Sequence, residues 1–237
     1  MSNNGVKPTQ FALLSALTWA HTTKARLTAE TEAAPHYQTR QPVFSNPHDW
    51  SNPRKRLFAG NASMNTYFGN SVAIAIAQTP SVKCGNDLVD ACTWVERGGM
   101  PSRRILEIAN AVTAANRAID EDFVLTRTAL FASMPEIRRL GVAADSRAPH
   151  TFSMNTWAFI GATVRFWFPG AGCVDGRRPD AIRRVQGAWA TPHALIMPRR
   201  YGVRDDELEL VVTLAGVSME VLESDQNWMG LVKRVVG

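Results

Sequence analysis

Between residues 101 and 123 the chain carries one stripe that constrains its fold more than any other feature. Ile105, Ile108, Val112, Ala115, Ile119 and Phe123 recur at steps of three and four, and Arg104, Glu107, Asn110 and Arg117 fall off that line. An α-helix repeats every 3.6 residues, so these spacings put the apolar groups on one side and the polar groups on the other. Pro101 and Ser102 form a start signal just before it. The pattern predicts a helix reaching about Ala132, with a break allowed near Asp120–Asp122. A stripe of this length cannot be hidden by the helix alone, so a second packed element is required.

Elements for that packing are visible on both sides. Phe11 to Arg26 reads as a helix, with Phe11, Leu14, Leu17 and Ala25 near one face and no internal breaker. From Ala34 to Pro53 the chain holds Pro35, Pro42, Pro47 and Pro53 with Asn46 and Asn52, a composition that forbids long helices and reads as an extended arm or ordered loop. In residues 67–79, Val72, Ile74 and Ile76 alternate with small residues, which suits a strand or, through the alanines, a buried helix. Asp87 to Glu96 reads as a short helix ended by Gly98-Gly99. Pro135 and Gly141 bracket another.

After Pro149 the texture changes. The run TFSMNTWAFIGATVRFWF is aromatic and β-branched and reads as strand, with Gly161 as a bulge or bend. Leu208 to Leu214 and Val217 to Leu222, joined at Ala215-Gly216, read as a hairpin, and Trp228 to Val236 as a terminal helix. The expected class is α+β, mainly helical in the N-terminal and central parts and β-containing in the C-terminal part. Its segments would be an N-terminal helix and arm (1–60), a helical core (61–148) and a basic, β-rich segment with an acidic tail (149–237), the last two forming one domain or two.

A chain of 237 residues with 45% apolar and 20% charged residues can bury a sizeable core and is not globally disordered. No apolar run approaches the roughly 18–20 residues of a membrane helix, and Phe11 to Ala20 lacks the basic start and cleavage signal of a secretory peptide. The expected location is therefore cytoplasmic, or within a virion or ribonucleoprotein particle, and not secreted. Cys84, Cys92 and Cys173 are odd in number and match no zinc or redox spacing, so they read as buried or incidental thiols.

No nucleotide, P-loop, zinc-protease, serine-hydrolase or calcium-loop motif is present. The loop Pro169 to Gly176 (PGAGCVDG) is the nearest thing to a phosphate cradle, but it lacks the lysine and hydroxyl of a P-loop and reads first as a turn. His21, His36, His48, His150 and His193 have no metal spacing among them, and only His48 has an adjacent carboxylate, Asp49. Asp120-Glu121-Asp122 and Asp205-Asp206-Glu207 point in different directions along a helix or strand, so they read as solvated ends rather than an acid–base pair. A Cys173–His193 dyad has no further support. No catalytic residue, metal ligand or cofactor is assigned.

Charge carries the functional expectation. The net charge is +5, and with only five lysines the basic groups are almost all arginine. Residues 151–204 have a net charge of +6 and residues 205–237 of −5. Arginine doublets stand at 103-104, 138-139, 177-178, 183-184 and 199-200, with Trp167, Trp189 and Tyr201 interleaved among the later ones. Guanidinium groups neutralise phosphates and aromatic faces stack on unpaired bases, although the same arginines also suit an ordinary solvated surface.

The reading is a nucleic-acid-binding structural protein, such as a coat or nucleocapsid protein or a ribonucleoprotein subunit. Single-stranded RNA is its favoured partner, and it would self-associate or join a larger complex away from any membrane. Arg54, Lys55, Arg56, Arg165, Arg177, Arg178, Arg183, Arg184, Arg199 and Arg200 would meet the phosphates. Two alternatives stand beside it. One is a structural subunit of a protein assembly, anchored by tryptophans such as Trp50 and Trp228. The other is an enzyme whose site is built from scattered residues.

Overall fold

A computed structural model describes residues 7–30, 40–49, 57, 72–79, 92, 102–136, 145, 147–158, 191–198 and 208–235. It is an α+β fold built on one mixed sheet. In chain order the elements are α1 (Gln10–Ala29), β1 (Val43–Asp49), β2 (Val72–Gln78), α2 (Arg103–Arg117), α3 (Glu121–Ser133), β3 (Thr151–Thr156), β4 (His193–Ile196), β5 (Leu210–Thr213), α4 (Gly216–Ser224) and α5 (Gln226–Met229). The strand order is β2-β1-β3-β4-β5. The two inner pairings, β1 with β3 and β3 with β4, are parallel, and each outer strand closes its edge antiparallel.

The helices begin where local chemistry starts them. The Thr9 hydroxyl accepts from the Ala12 N–H at 3.1 Å, the Ser102 hydroxyl from Ile105 at 3.2 Å, and the Asp120 carboxylate from Phe123 at 2.9 Å. Each satisfies a backbone donor that has no partner within its helix. Asp120 thus ends the predicted long helix at Arg117 and opens α3, with a short turn between them. The stripe of α2 is buried as its spacing requires, with Ile105, Ile108 and Val112 fully out of solvent. On α1 the outcome differs. Phe11, Leu14 and Leu17 are only half-buried, and the apolar positions wholly out of solvent are Ala12, Ala16, Trp19 and Ala20, with Ser15, Thr18, His21, Thr22 and Thr23 buried beside them. Small side chains let α2, β3 and α4 approach α1 from several directions.

The proline-punctuated segment is not an arm. Its residues 43–49 form β1, an inner strand whose Phe44 is fully buried against Trp19, with ring centroids 5.2 Å apart. Pro47 is tolerated because the β1–β3 ladder covers only Val43 to Ser45, leaving Pro47 a single partner strand, β2. Residues 72–78 form a strand, which settles the helix-or-strand ambiguity there. The second half of the expected hairpin is helix α4. Its Leu222 packs with Ala25 and Trp228 under β5, and tertiary packing overrides the β-branched character of Val217 and Val221. The terminal helix is only the four residues of α5. β4 has no counterpart among the sequence expectations. The helices expected at 87–96 and beyond Pro135, the glycine at 161 and the loop 169–176 lie outside the described residues, apart from Cys92 and residues 135–136.

One face of the sheet carries the core. Phe44, Ala77, Phe152, Met154, Ala194 and Ile196 share it in register and pack with Trp19, Ile105, Ile108 and Val112 of α1 and α2. Leu210 and Val212 extend it under α4. Arg26 ties the end of α1 to the start of β3. Its guanidinium is almost wholly buried and donates to the Thr151 carbonyl at 2.5 Å and the Arg147 carbonyl at 2.8 Å. No helix among the described residues is long and apolar enough to cross a membrane.

Candidate functional site

Strand residues alternate between faces, so the register that places Phe44, Phe152 and Ala194 on the packed side fixes what lies on the other. Ser45, Ser153 and His193 stand side by side across β1, β3 and β4, with Thr213 next to them on β5. Asn155 follows two residues after Ser153, on the same face. None of these residues belongs to the apolar clusters that join the sheet to the helices. Yet Ser45 and His193 are each only 8% exposed. Burying polar groups in a row is costly unless they are hydrogen-bonded, so this strip is an unusual use of a sheet centre. It is the candidate site.

Two of its side chains have defined orientations. His193 Nδ1 lies 2.6 Å from the Thr191 carbonyl oxygen. A carbonyl only accepts, so Nδ1 carries the hydrogen and the basic nitrogen of the neutral ring is Nε2. Asn155 Oδ1 accepts from the Thr156 N–H at 2.8 Å, which fixes the amide rotamer and leaves its NH2 end to donate elsewhere. The Thr156 hydroxyl in turn accepts from the Ala158 N–H at 3.2 Å. The strip therefore sets an imidazole, a side-chain amide and two serine hydroxyls along about 10 Å of sheet, at roughly 4.8 Å between strands. That set can bind and orient a hydroxyl-bearing or carbonyl-bearing small molecule. No group of three or more His, Cys, Asp or Glu able to hold a metal occurs among the described residues.

The residues expected from sequence are placed differently. Arg54, Lys55, Arg56, Arg165, Arg177, Arg178, Arg183, Arg184, Arg199 and Arg200 all lie outside the described residues, as do Cys84, Cys173, His36 and Trp50. Of the doublets, Arg103 and Arg104 both pair with Glu107, at 3.3 and 3.0 Å. Trp228 is not an exposed anchor; it is 9% exposed and lies against the His21 ring. Cys92 is a buried thiol, pushed up to about 12 chiefly by that burial, and so is chemically quiet. His48 is held below the ordinary histidine value by burial, with Asp49 acting in the opposite sense. Ser153 and Asn155 were not singled out from sequence, although the alternation in Thr151-Phe152-Ser153-Met154-Asn155 is a signal for a polar face.

No protein-family model matches the chain, and no curated protein matches it. Solved structures do. TRI101 of F. sporotrichioides, crystallised with coenzyme A and T-2, superposes with a TM-score of 0.63 at 16% identity, over 97% of this chain and 45% of that one. TRI101 of F. graminearum matches with a TM-score of 0.51 in its complex with coenzyme A and T-2 mycotoxin, at 16% identity and over 97% and 44% of the two chains. Its complex with ethyl coenzyme A gives 0.50 at 15% identity over the same shares. This chain thus spans less than half the length of those structures.

The likeness corrects the functional expectation. The fold is shared with proteins solved around coenzyme A and a small molecule, not around nucleic acid. The coat, nucleocapsid or ribonucleoprotein reading, with single-stranded RNA as partner, is overturned. The physical reason is simple: arginine suits phosphate in any ligand and suits an ordinary solvated surface as well, so its abundance does not single out nucleic acid.

Proposed function

We propose that this chain is an acyltransferase-type module that binds coenzyme A or its thioesters together with a small hydroxyl-bearing acceptor. The observation that carries the reading is the likeness to TRI101 bound to coenzyme A and T-2 over 97% of the chain. The polar strip supports it, because Asn155 and His193 present an N–H donor and a basic nitrogen of the kind an acceptor hydroxyl or a thioester carbonyl needs. The arginines at 177, 178, 183, 184, 199 and 200 fit the same reading with a different ligand, since coenzyme A carries a diphosphate and a 3′-phosphate that guanidinium groups bind well.

The test is calorimetric titration of the purified chain with coenzyme A. Saturable binding that weakens when the 3′-phosphate is removed is the expected result. No heat of binding at millimolar coenzyme A overturns the reading. In a binding-competent chain, Asn155→Ala and His193→Gln should weaken capture of the acceptor and leave the affinity for coenzyme A within a few fold.

A further inference from the structure

Away from the sheet, α1 meets the joint between α4 and α5 through a compact ionisable cluster. His21 is fully buried, and its Nδ1 lies 3.1 Å from Asp225 Oδ2. Lys24 donates to the same oxygen at 2.9 Å. The other carboxylate oxygen, Oδ1, caps α5 by accepting from the Asn227 N–H at 3.0 Å and the Trp228 N–H at 3.4 Å. The Trp228 ring lies against the His21 ring, with centroids 5.5 Å apart. His21 Nε2 is buried and has no hydrogen-bond partner among the described residues.

We propose that this junction is an acid-sensitive latch, in which protonation of His21 releases α4 and α5 from α1. With the carboxylate accepting, Nδ1 bears the hydrogen, and the neutral ring keeps a bare lone pair at the buried Nε2. A second proton adds an N–H at Nε2 with nothing to receive it and sets a second positive charge beside Lys24. One carboxylate then serves two cations. Among the described residues the other titratable groups offer no relief: Glu220 and Glu223 of α4 are exposed to solvent, and burial keeps the Cys92 thiol protonated and neutral. Separation of the α4–α5 pair from α1 would let water reach the ring and would expose Trp228 with it.

The direction of titration agrees. Burial lowers His21 below its ordinary value of 6.5, and Asp225 offsets this only in part. Burial raises Asp225, but the Lys24 hydrogen bond and the charge and hydrogen bond of His21 outweigh it and hold the carboxyl below its ordinary value. The closed latch binds fewer protons at His21 than the open one. Its stability is present in full above pH 6.5 and is lost as the pH falls through the lower folded value.

Amide hydrogen exchange on the whole chain, read as protection factors between about pH 7.5 and 5, tests this in the range where histidine titrates. Protection across residues 216–229 should fall by up to about tenfold per pH unit, the limit for one linked proton, while α2 stays protected. In His21→Phe the fall should vanish. Should that variant fail to fold, the His21 ring proton in the wild-type chain decides by itself: its midpoint should lie below 6.5, and the fall in protection should set in below 6.5 and level off at that midpoint. Constant protection down to pH 5, an equal loss in α2, an undiminished fall in His21→Phe, or a His21 midpoint at or above 6.5 overturns the latch.

Discussion

Phe152 and Ser153 are neighbours in one strand and belong to different environments. Phe152 turns to the helices with Phe44, Met154, Ala194 and Ile196, where shape and volume are matched to α1 and α2. Ser153 turns the other way with Ser45, Asn155 and His193, where hydrogen bonding and tautomer are set. The packed face is what makes the chain fold. The other face buries polar groups, Ser45 and His193, beside Leu195, at some cost in desolvation.

Substitutions one residue apart put that contrast at risk. Phe152→Ala should cost about 3–5 kcal/mol by urea denaturation, through the lost transfer energy and the cavity left among rigid helices. A loss below ~1 kcal/mol would mean that the core does not rest on this face. Ala77→Leu on the packed side of β2 should cost about 1–3 kcal/mol by overpacking, because Ala77 is 2% exposed within the cluster that includes α2. Ser153→Ala should change stability by less than about 1 kcal/mol, the range for losing a single ordinary hydrogen bond. In that variant capture of the acceptor should weaken while the affinity for coenzyme A stays within a few fold, and an unchanged acceptor affinity would take the strip out of the ligand surface. Ile76→Thr should be the quietest, within about 0.5 kcal/mol, since Ile76 is 38% exposed on the face turned away from α2.

Periodicity made α1 and α2 readable in advance, because each depends on local repeats, and it left residues 72–78 open between strand and buried helix. It did not give the sign of the alternation in β2. The larger side chains Val72 and Ile76 are the exposed ones, and Ala75 and Ala77 are buried, because α2 lies close enough to admit only small groups. That is a fact about a neighbour far along the chain. β1 was misread for a similar reason: four prolines between 35 and 53 describe a segment that cannot be helical, and only the partner strand reveals that it is an inner strand. Of the candidate site, His193 was visible as a residue but not as a member of a strip, since Ser45, Ser153 and His193 meet only through sheet register. The arginine signal was real as composition and wrong as to its phosphate-bearing partner.

The pairing of β1 with β3 has a consequence for how the chain reaches this state. Val43 pairs with Thr151, more than 100 residues later, and Ser153 pairs with His193 about 40 residues after that. On a ribosome the inner strand β1 is made long before β3 exists to pair with it, with only β2 available to cover one edge. Topologies dominated by such distant pairings fold slowly, and an uncovered strand bearing Phe44 is a template for wrong partners meanwhile. Until β3 has been made, β1 has only β2 to pair with, and that interval is when Phe44 is most open to pairing with another chain.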